Sequence, residues 1–170
     1  PLVGMTYSTT IDNSSASGSV DGRDMLVGGL VGYLFSSSIL SNSYSTASVV
    51  GSSYYIGGLV GYIYTSSILN SYSIGSVVAT NSGLNAYSGG LVGYKASGGT
   101  ITNSFYDSTT SGKSDTGKGT GKTTTQMKTL GTFTNWDFND TWGIDTSGTI
   151  NGGYPYLNYA SGDHFYESLV

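Results

Sequence analysis

The hexapeptide GGLVGY occurs three times in this chain, at residues 28–33, 57–62 and 89–94. A clipped copy, LVG, stands at residues 2–4, so the LVG phrase begins at residues 2, 30, 59 and 91. A second phrase follows it each time, reading NSSASGSVDG from Asn13, NSYSTASVVG from Asn42, NSYSIGSVVA from Asn70 and, in decayed form, NSFYDSTTSG from Asn103. Two phrases that recur in a fixed order at nearly one period define a repeat array.

Apolar residues divide each period into three nearly equal parts. Along the chain they are Leu2, Ile11, Val20, Leu30, Leu40, Val49, Leu59, Ile68, Val77, Leu91 and Ile101, and all steps but one are of nine or ten residues. The segments between them are rich in β-branched, aromatic, Ser and Gly residues, which disfavour helices. The pattern predicts an all-β fold, a three-sided parallel β-solenoid (β-helix) of about 3.5–4 coils.

Stacked coils place equivalent residues about 4.8 Å apart, so the repeat predicts ladders of like side chains. The expected ladders are Leu2, Leu30, Leu59, Leu91; Ile11, Leu40, Ile68, Ile101; Val20, Val49, Val77; and Asn13, Asn42, Asn70, Asn103. The asparagines are typical of left-handed turns. Alternation alone leaves open whether Leu59 and Ile63 or Val60 and Tyr62 point inward, and we favour the former pair.

Charge is scarce and unevenly placed. Only 9% of the 170 residues are charged, the net charge is −4, and there are 15 tyrosines and no cysteine. Between Asp24 and Asp107 the only charged residue is Lys95. Nucleic-acid binding needs clustered Lys and Arg, so we expect none. No apolar run is long enough to span a bilayer, so we expect no membrane insertion.

With these residues in view, the repeat resembles the GLUG motif, whose core is Gly-Leu-hydrophobic-Gly. The wording GGLVGY followed by NSYSTASVVG carries the resemblance, and residues 121–159 resemble the segment that commonly follows such arrays. The first copy departs from the pattern at Pro1 and Ser15. The resemblance implies a module of large secreted or surface-exposed bacterial proteins, often adhesins similar to filamentous haemagglutinin, with no known chemistry in the repeat itself.

From about Lys113 the composition changes. We divide the chain into repeats (1–112), a C-terminal capping segment with a short helix and an aromatic cluster (113–160) and a tail (161–170). A solenoid end exposes strand edges and an open core, which terminal caps usually cover. We expect the open end to be covered by Trp136, Phe138, Trp142, Tyr154, Tyr156 and Leu157. An aromatic sugar-binding platform is the alternative.

Candidate catalytic and ligand-binding patterns are weak. The stretch TGKGTGKTT lacks the first glycine of a phosphate-binding loop, and the only histidine, His164, lies in the predicted tail. Residues 25–106 contain no carboxylate, whereas polysaccharide-cleaving enzymes need carboxylate pairs. We therefore expect no enzyme activity, no catalytic residue, no cofactor and no metal. A carbohydrate-binding or carbohydrate-active β-helix, using Asp137, Asp140 or Asp145, is a remote alternative.

These expectations lead to a functional hypothesis. The chain is predicted to be a non-catalytic extracellular module of a bacterial surface protein, secreted or at the cell surface, acting in adhesion or as a spacer. The expected partner is a protein or glycan surface, or further solenoid coils of the same or another chain. The alternative is a secreted subunit that stacks head-to-tail into filaments through open solenoid ends.

Overall fold

The computed structural model describes residues 1–81 and 87–158, and it confirms the all-β solenoid. The predicted tail therefore lies outside the described residues. About three turns stack on one another with little helix, and each full turn passes through five short strands. Strands of successive turns pair in parallel, so every turn repeats the path of the one before it.

The parallel strands form five sheets, which we label A to E in the order in which the chain visits them. Sheet A contains Val3–Tyr7, Val31–Phe35, Val60–Tyr64 and Val92–Lys95. Sheet B contains Thr10–Ile11, Ile39–Ser41, Ser67–Leu69 and Thr100–Thr102. Sheet C contains Ser15–Ala16, Tyr44–Ser45, Tyr72–Ser73, Phe105–Asp107 and Thr120–Lys122. Sheet D contains Ser19–Gly22, Ser48–Gly51 and Val77–Ala79, and sheet E contains Val27–Gly28, Ile56–Gly57 and Ser88–Gly89.

The apolar anchors of the three ladders lie at the start of sheet A, in sheet B and in sheet D. In sheet B, Ile11, Leu40, Ile68 and Ile101 pair in one register, and in sheet D Val20 pairs with Val49 and Val49 with Val77. The leucines follow each other through backbone hydrogen bonds from Leu30 N to Leu59 O and from Leu59 N to Leu91 O. The interior members of these ladders are buried.

Leu2 departs from the buried ladder to which the repeat assigns it. Its backbone N–H donates to Leu30 O, but its side chain is 61% exposed. Among the described residues Val3–Tyr7 is the outermost strand of sheet A, so no coil covers the outer side of Leu2. Within the phrase, Leu59, Val60 and Ile63 are all buried, and Tyr62 lies half-buried at the surface.

The four ladder asparagines form one corner of the coil, between sheets B and C. Asn13, Asn42, Asn70 and Asn103 have φ of 47°, 44°, 45° and 46°, the left-handed region that asparagine tolerates better than most residues. Asn42 also donates through Nδ2 to Asp12 Oδ1 in the preceding coil, at 3.0 Å. The asparagines therefore serve the turn.

Buried serines join neighbouring coils beside this corner. The backbone N–H of Ser43 donates to Ser71 Oγ at 3.1 Å, and that of Ser71 donates to Ser104 Oγ at 3.2 Å. Each hydroxyl in turn donates to a carbonyl two residues earlier in its own coil, as Ser71 Oγ does to Leu69 O. A second, shorter serine ladder links Ser38 N to Ser66 Oγ. Polar backbone groups at these corners are thereby satisfied without water.

The variant Ser71→Ala tests this ladder. It leaves the buried N–H of Ser43 without an acceptor, so we expect a loss of about 1–3 kcal/mol in the free energy of unfolding. Urea denaturation followed by circular dichroism measures the loss. Ser14→Ala is the matched control, because Ser14 stands at the outer end of the same ladder and its hydroxyl bonds only its own turn, at Asp12 O. Equal losses in the two variants would contradict the ladder's role.

From residue 124 onward the C-terminal segment lies on the flank of the solenoid, not over its end. Helix α1 (Ser108–Ser111) ends the repeats. The C-terminal segment contains helix α2 (Thr124–Met127), 3-10 turns at Leu130–Thr132 and Asn151–Gly153, and an antiparallel pair of strands, Trp142–Gly143 and Tyr156–Leu157. Thr123 caps α2 in a reciprocal capping box with Gln126.

The aromatic side chains of this segment pack on sheet C. Trp136, Trp142, Tyr154 and Leu157 form one buried cluster with Tyr72 and Phe105, and Tyr44, Phe138 and Ile144 pack against it. Tyr44, Tyr72 and Phe105 are registered neighbours in successive coils, so the cluster runs along the solenoid. The expectation that these residues cover the open end of the core is wrong, because the outer face of sheet C is itself apolar and supplies the buried surface they need.

The segment that covers the last coil is instead the connector between residues 112 and 120. Lys118 Nζ donates to Ser88 O at 2.7 Å and to Gly93 O at 3.1 Å, and Asp115 Oδ1 accepts from Gly90 N at 2.9 Å. Gly119 lies directly against the side chain of Leu91. The stretch whose sequence resembles a phosphate loop thus closes one end of the core.

Candidate functional site

A continuous array of aromatic rings lies on the outer side of sheet A. It joins nine side chains, each in ring contact with at least one other, which we call the tyrosine face: Tyr7, Tyr33, Phe35, Tyr54, Tyr55, Tyr62, Tyr64, Tyr87 and Tyr94. All nine are half-buried or exposed. Exposed aromatic residues in a contiguous group indicate an interaction surface more often than isolated ones do.

Two registered columns of the repeat build this face. Tyr33, Tyr62 and Tyr94 pair in successive strands of sheet A, and so do Tyr7, Phe35 and Tyr64. These positions are the final Tyr of GGLVGY and the residue two places later, so the repeat itself projects the rings outward on alternate positions of the strand. Tyr54, Tyr55 and Tyr87, which precede sheet E strands, extend the face sideways.

The rings stand too close together to lie flat. Centroids in the first column are 5.0 Å apart for Tyr33 and Tyr62 and 5.6 Å apart for Tyr62 and Tyr94, with the second pair stacked at 18°. Strand spacing of about 4.8 Å keeps neighbouring rings from lying flat on the sheet side by side, since a flat ring is wider than that. Partners therefore meet ring edges and phenolic hydroxyls more than open ring faces.

The tyrosine face lies in an uncharged part of the molecule. Residues 25–94 contain no charged side chain, and Lys95 is the only one in the strands of sheet A. Burial raises the pKa of Tyr62 above its ordinary value, and the neighbouring tyrosines Tyr33, Tyr55 and Tyr94 raise it further. The Tyr62 hydroxyl consequently remains a neutral donor and acceptor at physiological pH.

The predicted aromatic cap is not an exposed platform. Trp136, Trp142, Tyr154 and Leu157 are buried, and Tyr72 donates its hydroxyl to Pro155 O beneath them. Trp136 donates through Nε1 to Asn103 O at 2.8 Å, which fixes the segment to the asparagine corner. The four buried side chains offer no open ring face of the kind that sugar stacking needs and serve packing, whereas Phe138 and Tyr156 are half-buried.

The C-terminal carboxylates are bound within their own turns. Asp145 accepts from Ser147 and from the backbone of Thr149 and Ile150, and the hydrogen bond from the Ser147 hydroxyl is the main cause of a pKa near 2. Backbone hydrogen bonds from Asn139 and Asp140 likewise lower the pKa of Asp137. A general acid working near neutral pH needs a raised pKa, which is the opposite shift.

One carboxylate is fully buried where the solenoid meets the C-terminal segment. Asp107 accepts from the backbone of Thr109 and Thr110 at the start of α1, from the Thr124 hydroxyl and from Tyr154 Oη at 2.8 Å. These bonds join sheet C, both helices and the aromatic cluster. The residue's role is to anchor this junction, and the sequence marked it only as part of a decayed repeat phrase.

We expect stability to fall as the pH rises from about 10 toward 12, because buried tyrosines ionise late. Burial, and then the Asp115 charge, raises the pKa of Tyr106 to about 12; burial, and then Asp107, raises that of Tyr154 to about 12. Above the ordinary pKa of about 10 the unfolded chain releases protons that the folded chain keeps. The stabilisation is complete below pH 10 and is lost above it.

Urea midpoints at pH 8 and at half-unit steps from pH 9.5 to 11.5 measure this effect. The double variant Tyr106→Phe/Tyr154→Phe should show a shallower decline, although Tyr72, whose pKa burial also raises, still contributes. An unchanged slope in the double variant would refute the assignment.

No helix in the described part of the chain has the length and apolar character needed to cross a bilayer. The two α-helices there have four residues each.

Comparison with known proteins bears on the repeat. The family described as the GLUG motif matches residues 24–50 and 52–78, which together contain the second and third stretches of the array. The chain carries GLUG repeats. Each matched stretch runs from a sheet E strand through sheets A, B and C to sheet D. Together they supply six of the nine residues of the tyrosine face, which are Tyr33, Phe35, Tyr54, Tyr55, Tyr62 and Tyr64.

One relative matches part of the chain. The chain is 40% identical over 79 residues to a protein of Evansella cellulosilytica described as "Putative Gly-rich membrane protein". The match covers 45% of this chain and 9% of the relative, so the chain spans a small part of that protein's length. No solved structure matches the chain significantly.

Proposed function

We propose that this chain is a non-catalytic repeat module of a bacterial surface protein and that it acts in adhesion through the tyrosine face. The single observation that carries the proposal is the uncharged, exposed array of nine aromatic rings on successive coils. Support for a surface location comes from the GLUG repeats and from the relative's description as a membrane protein. The absence of charge favours a partner that is itself neutral at the contact.

The chemistry of the face suits recognition of another macromolecule. Tyrosine supplies large, stiff contact area with a polar tip, and surfaces rich in Tyr, Ser, Gly and Asn recur in binding loops of antibodies. Ser8, Ser36, Ser37 and Thr65 follow the sheet A strands at the rim of the face, where all four adopt left-handed turns. Hydroxyl groups therefore line one edge of the aromatic face, an arrangement that fits a protein or a glycan surface.

The small area of the tyrosine face indicates that one copy of the chain binds its partner weakly. Four strands about 4.8 Å apart and five residues long, at about 3.3 Å each, cover about 300 Å² on sheet A. Stable protein interfaces bury about 800 Å² per partner. Adhesion by this face thus relies on many copies acting together, which multiplies weak affinities.

The test is capture of bacterial or host cells and of a glycan array by beads that display many copies of the chain. Tyr33→Ser/Tyr62→Ser/Tyr94→Ser should reduce capture about 10-fold or more, equivalent to about 1.4 kcal/mol, while circular dichroism confirms folding. Val78→Ser removes an exposed apolar side chain on sheet D and should leave capture unchanged. Equal capture by all three proteins would refute the proposal.

Salt provides a further readout. Because the face is uncharged, capture should persist between about 0.05 and 0.5 M NaCl, over which charge-driven binding is strongly screened. Loss of capture at high salt would indicate that charged residues elsewhere carry it.

A second candidate function is self-assembly through the N-terminal end. The outermost strands there leave Leu2 and Met5 61% exposed, and Ile11 and Val20 are only half-buried. Exposed strand edges of this kind pair readily with another chain. In head-to-tail stacking, however, the Thr120–Lys122 strand already occupies the next layer of sheet C at the other end. Light scattering after size-exclusion chromatography measures the oligomeric state. A monodisperse monomer would contradict self-assembly.

The proposal assigns no catalytic residue, cofactor or metal to this chain. Hydrolysis of any member of a glycan panel, lost in an Asp137→Asn/Asp145→Asn variant, would overturn this part of it.

A further inference from the structure

Six tyrosines of the tyrosine face form a closer group, and we propose that this group is a site of oxidative cross-linking between coils. The group, which we call the phenol cluster, consists of Tyr33, Tyr54, Tyr55, Tyr62, Tyr87 and Tyr94. The co-reactant is a one-electron oxidant, such as a haem peroxidase with hydrogen peroxide, and the product is dityrosine. This inference is independent of adhesion, since it concerns a covalent change within the chain.

Distances within the phenol cluster bring rings from different coils into contact. Tyr62 is 5.0 Å from Tyr33 in the preceding coil and 5.6 Å from Tyr94 in the following one, between ring centroids. Tyr55 is inserted between two coils, 4.9 Å from Tyr62 and 5.2 Å from Tyr94. Side-chain rotation on the scale of a ring width is enough to bring ortho carbons of such pairs together.

An oxidant can reach the cluster from solvent. Tyr54 is 41% exposed and Tyr94 is 36% exposed, and both touch Tyr55 and Tyr87. An electron removed from either exposed ring leaves a radical next to a second phenol. Intramolecular coupling is then favoured over coupling between molecules, because the partner is already in place.

Neighbouring aromatic residues restrict coupling to the cluster. Tyr7 and Tyr64 are exposed, but their ring contact is Phe35, which has no phenolic hydroxyl to oxidise. Tyr44 and Tyr72 stack at 5.0 Å, yet Tyr72 is fully buried beneath Trp142 and Trp136. Phenol rings that contact one another and can be oxidised from solvent therefore lie in one part of the face only.

Tyr62 and Tyr94 illustrate the coupling reaction. Each phenol loses one electron and its hydroxyl proton, and the two radicals join through a carbon–carbon bond between ortho positions. The hydrogens on those two carbons move to the phenolic oxygens and restore both aromatic rings. The protein loses two hydrogen atoms in total, and one hydrogen peroxide is reduced to two waters.

The cross-link would tie adjacent coils in a chain that has no cysteine. A bond between Tyr62 and Tyr94 closes a loop of about one turn, and closing loops stabilises a fold largely by restricting the unfolded chain, as disulfides do. We expect the urea midpoint to rise after oxidation, with the protein still monomeric.

Trypsin gives a direct readout, because Arg23 and Lys95 are consecutive cleavage sites. The whole phenol cluster therefore lies on the single peptide 24–95, whereas Tyr7 lies on peptide 1–23. After dilute protein is treated with peroxidase and peroxide, peptide 24–95 should become two hydrogen masses lighter, and dityrosine fluorescence should appear. Fragmentation after a second protease should place the link within the cluster.

Two variants complete the test. Replacing all six cluster tyrosines by Phe keeps the rings and should abolish both the mass change and the rise in urea midpoint. Tyr7→Phe/Tyr64→Phe removes two exposed phenols outside the cluster and should change neither. The proposal is overturned if the six-Phe protein still yields cross-linked peptide 24–95, if only links between molecules form, or if no dityrosine forms in the folded parent. Adhesion is assayed without peroxide, so it can fail or succeed separately.

Discussion

Gly61→Ala should destabilise the fold by about 3 kcal/mol or more, or prevent folding altogether. A Cβ at Gly61 would lie 2.6 Å from Gly32 O of the preceding coil and 2.7 Å from Leu26 C, both of them backbone atoms. Backbone in a stacked coil cannot yield as the end of a flexible side chain can. The expected loss arises from forcing two coils apart, and urea denaturation measures it.

The matched control is the equivalent glycine of the first coil. Gly4 lies beside Gly32 on the neighbouring strand of sheet A, since Val3 pairs with Val31. A Cβ at Gly4 would nevertheless meet no atom within 4 Å. Gly4→Ala should therefore change the free energy of unfolding by no more than about 0.5 kcal/mol. Equal losses in the two variants would contradict the claim that Gly61 is needed for the close approach of coils.

Trp142→Ala should cost about 3–5 kcal/mol, the largest effect expected outside the repeats. The side chain is fully buried and contacts Trp136, Tyr44 and Tyr72, with the Trp136 ring centroid 4.4 Å away. Its loss leaves a cavity between the C-terminal segment and sheet C. The separate aliphatic core of the coils is untouched, so the segment should detach before the solenoid unfolds.

Limited trypsin digestion distinguishes detachment from global unfolding. In the variant, cleavage after Lys128 should accelerate under native conditions, while cleavage after Arg23 and Lys95 in the solenoid stays as slow as in the parent protein. Ile150→Ala is the control, because Ile150 is exposed. Trp142→Phe should lose less than the alanine variant, since it also removes a buried Nε1–H that has no hydrogen-bond partner among the described residues. Uniform protection in Trp142→Ala would contradict docking on the flank.

The ladders could be predicted from the sequence because parallel stacking repeats the same environment at every period. Leu59, Ile68 and Val77 lie in identical surroundings to Leu30, Leu40 and Val49, so their spacing alone sets the register. Leu2 is not buried, because burial of a ladder residue requires a coil stacked on its outer side. The repeat motif itself does not show whether such a coil is present. The buried serines were missed, since a short polar residue in the interior has no periodic apolar signal.

The position of the C-terminal segment could not be derived in the same way. Its aromatic residues indicate that the segment packs against another surface, but they do not indicate which one. The sequence signal for that surface is the third residue of the NSY motif, where Tyr44, Tyr72 and Phe105 form an outward-facing apolar column on sheet C. The corresponding sequence signal for the tyrosine face is the final tyrosine of the GGLVGY motif. The three tyrosines at this position lie in one column on sheet A.

The identical register of successive coils has a consequence for how such an array can change in length. Tandem duplication of one 29-residue period in the gene, for example the codons for residues 31–59, would insert a coil whose neighbours already match it on both sides. The rod would grow by about 4.8 Å, and the tyrosine face would gain four further rings, the copies of Tyr33, Phe35, Tyr54 and Tyr55. Neither terminus would need redesign, so reach and valency could increase together in a single genetic event.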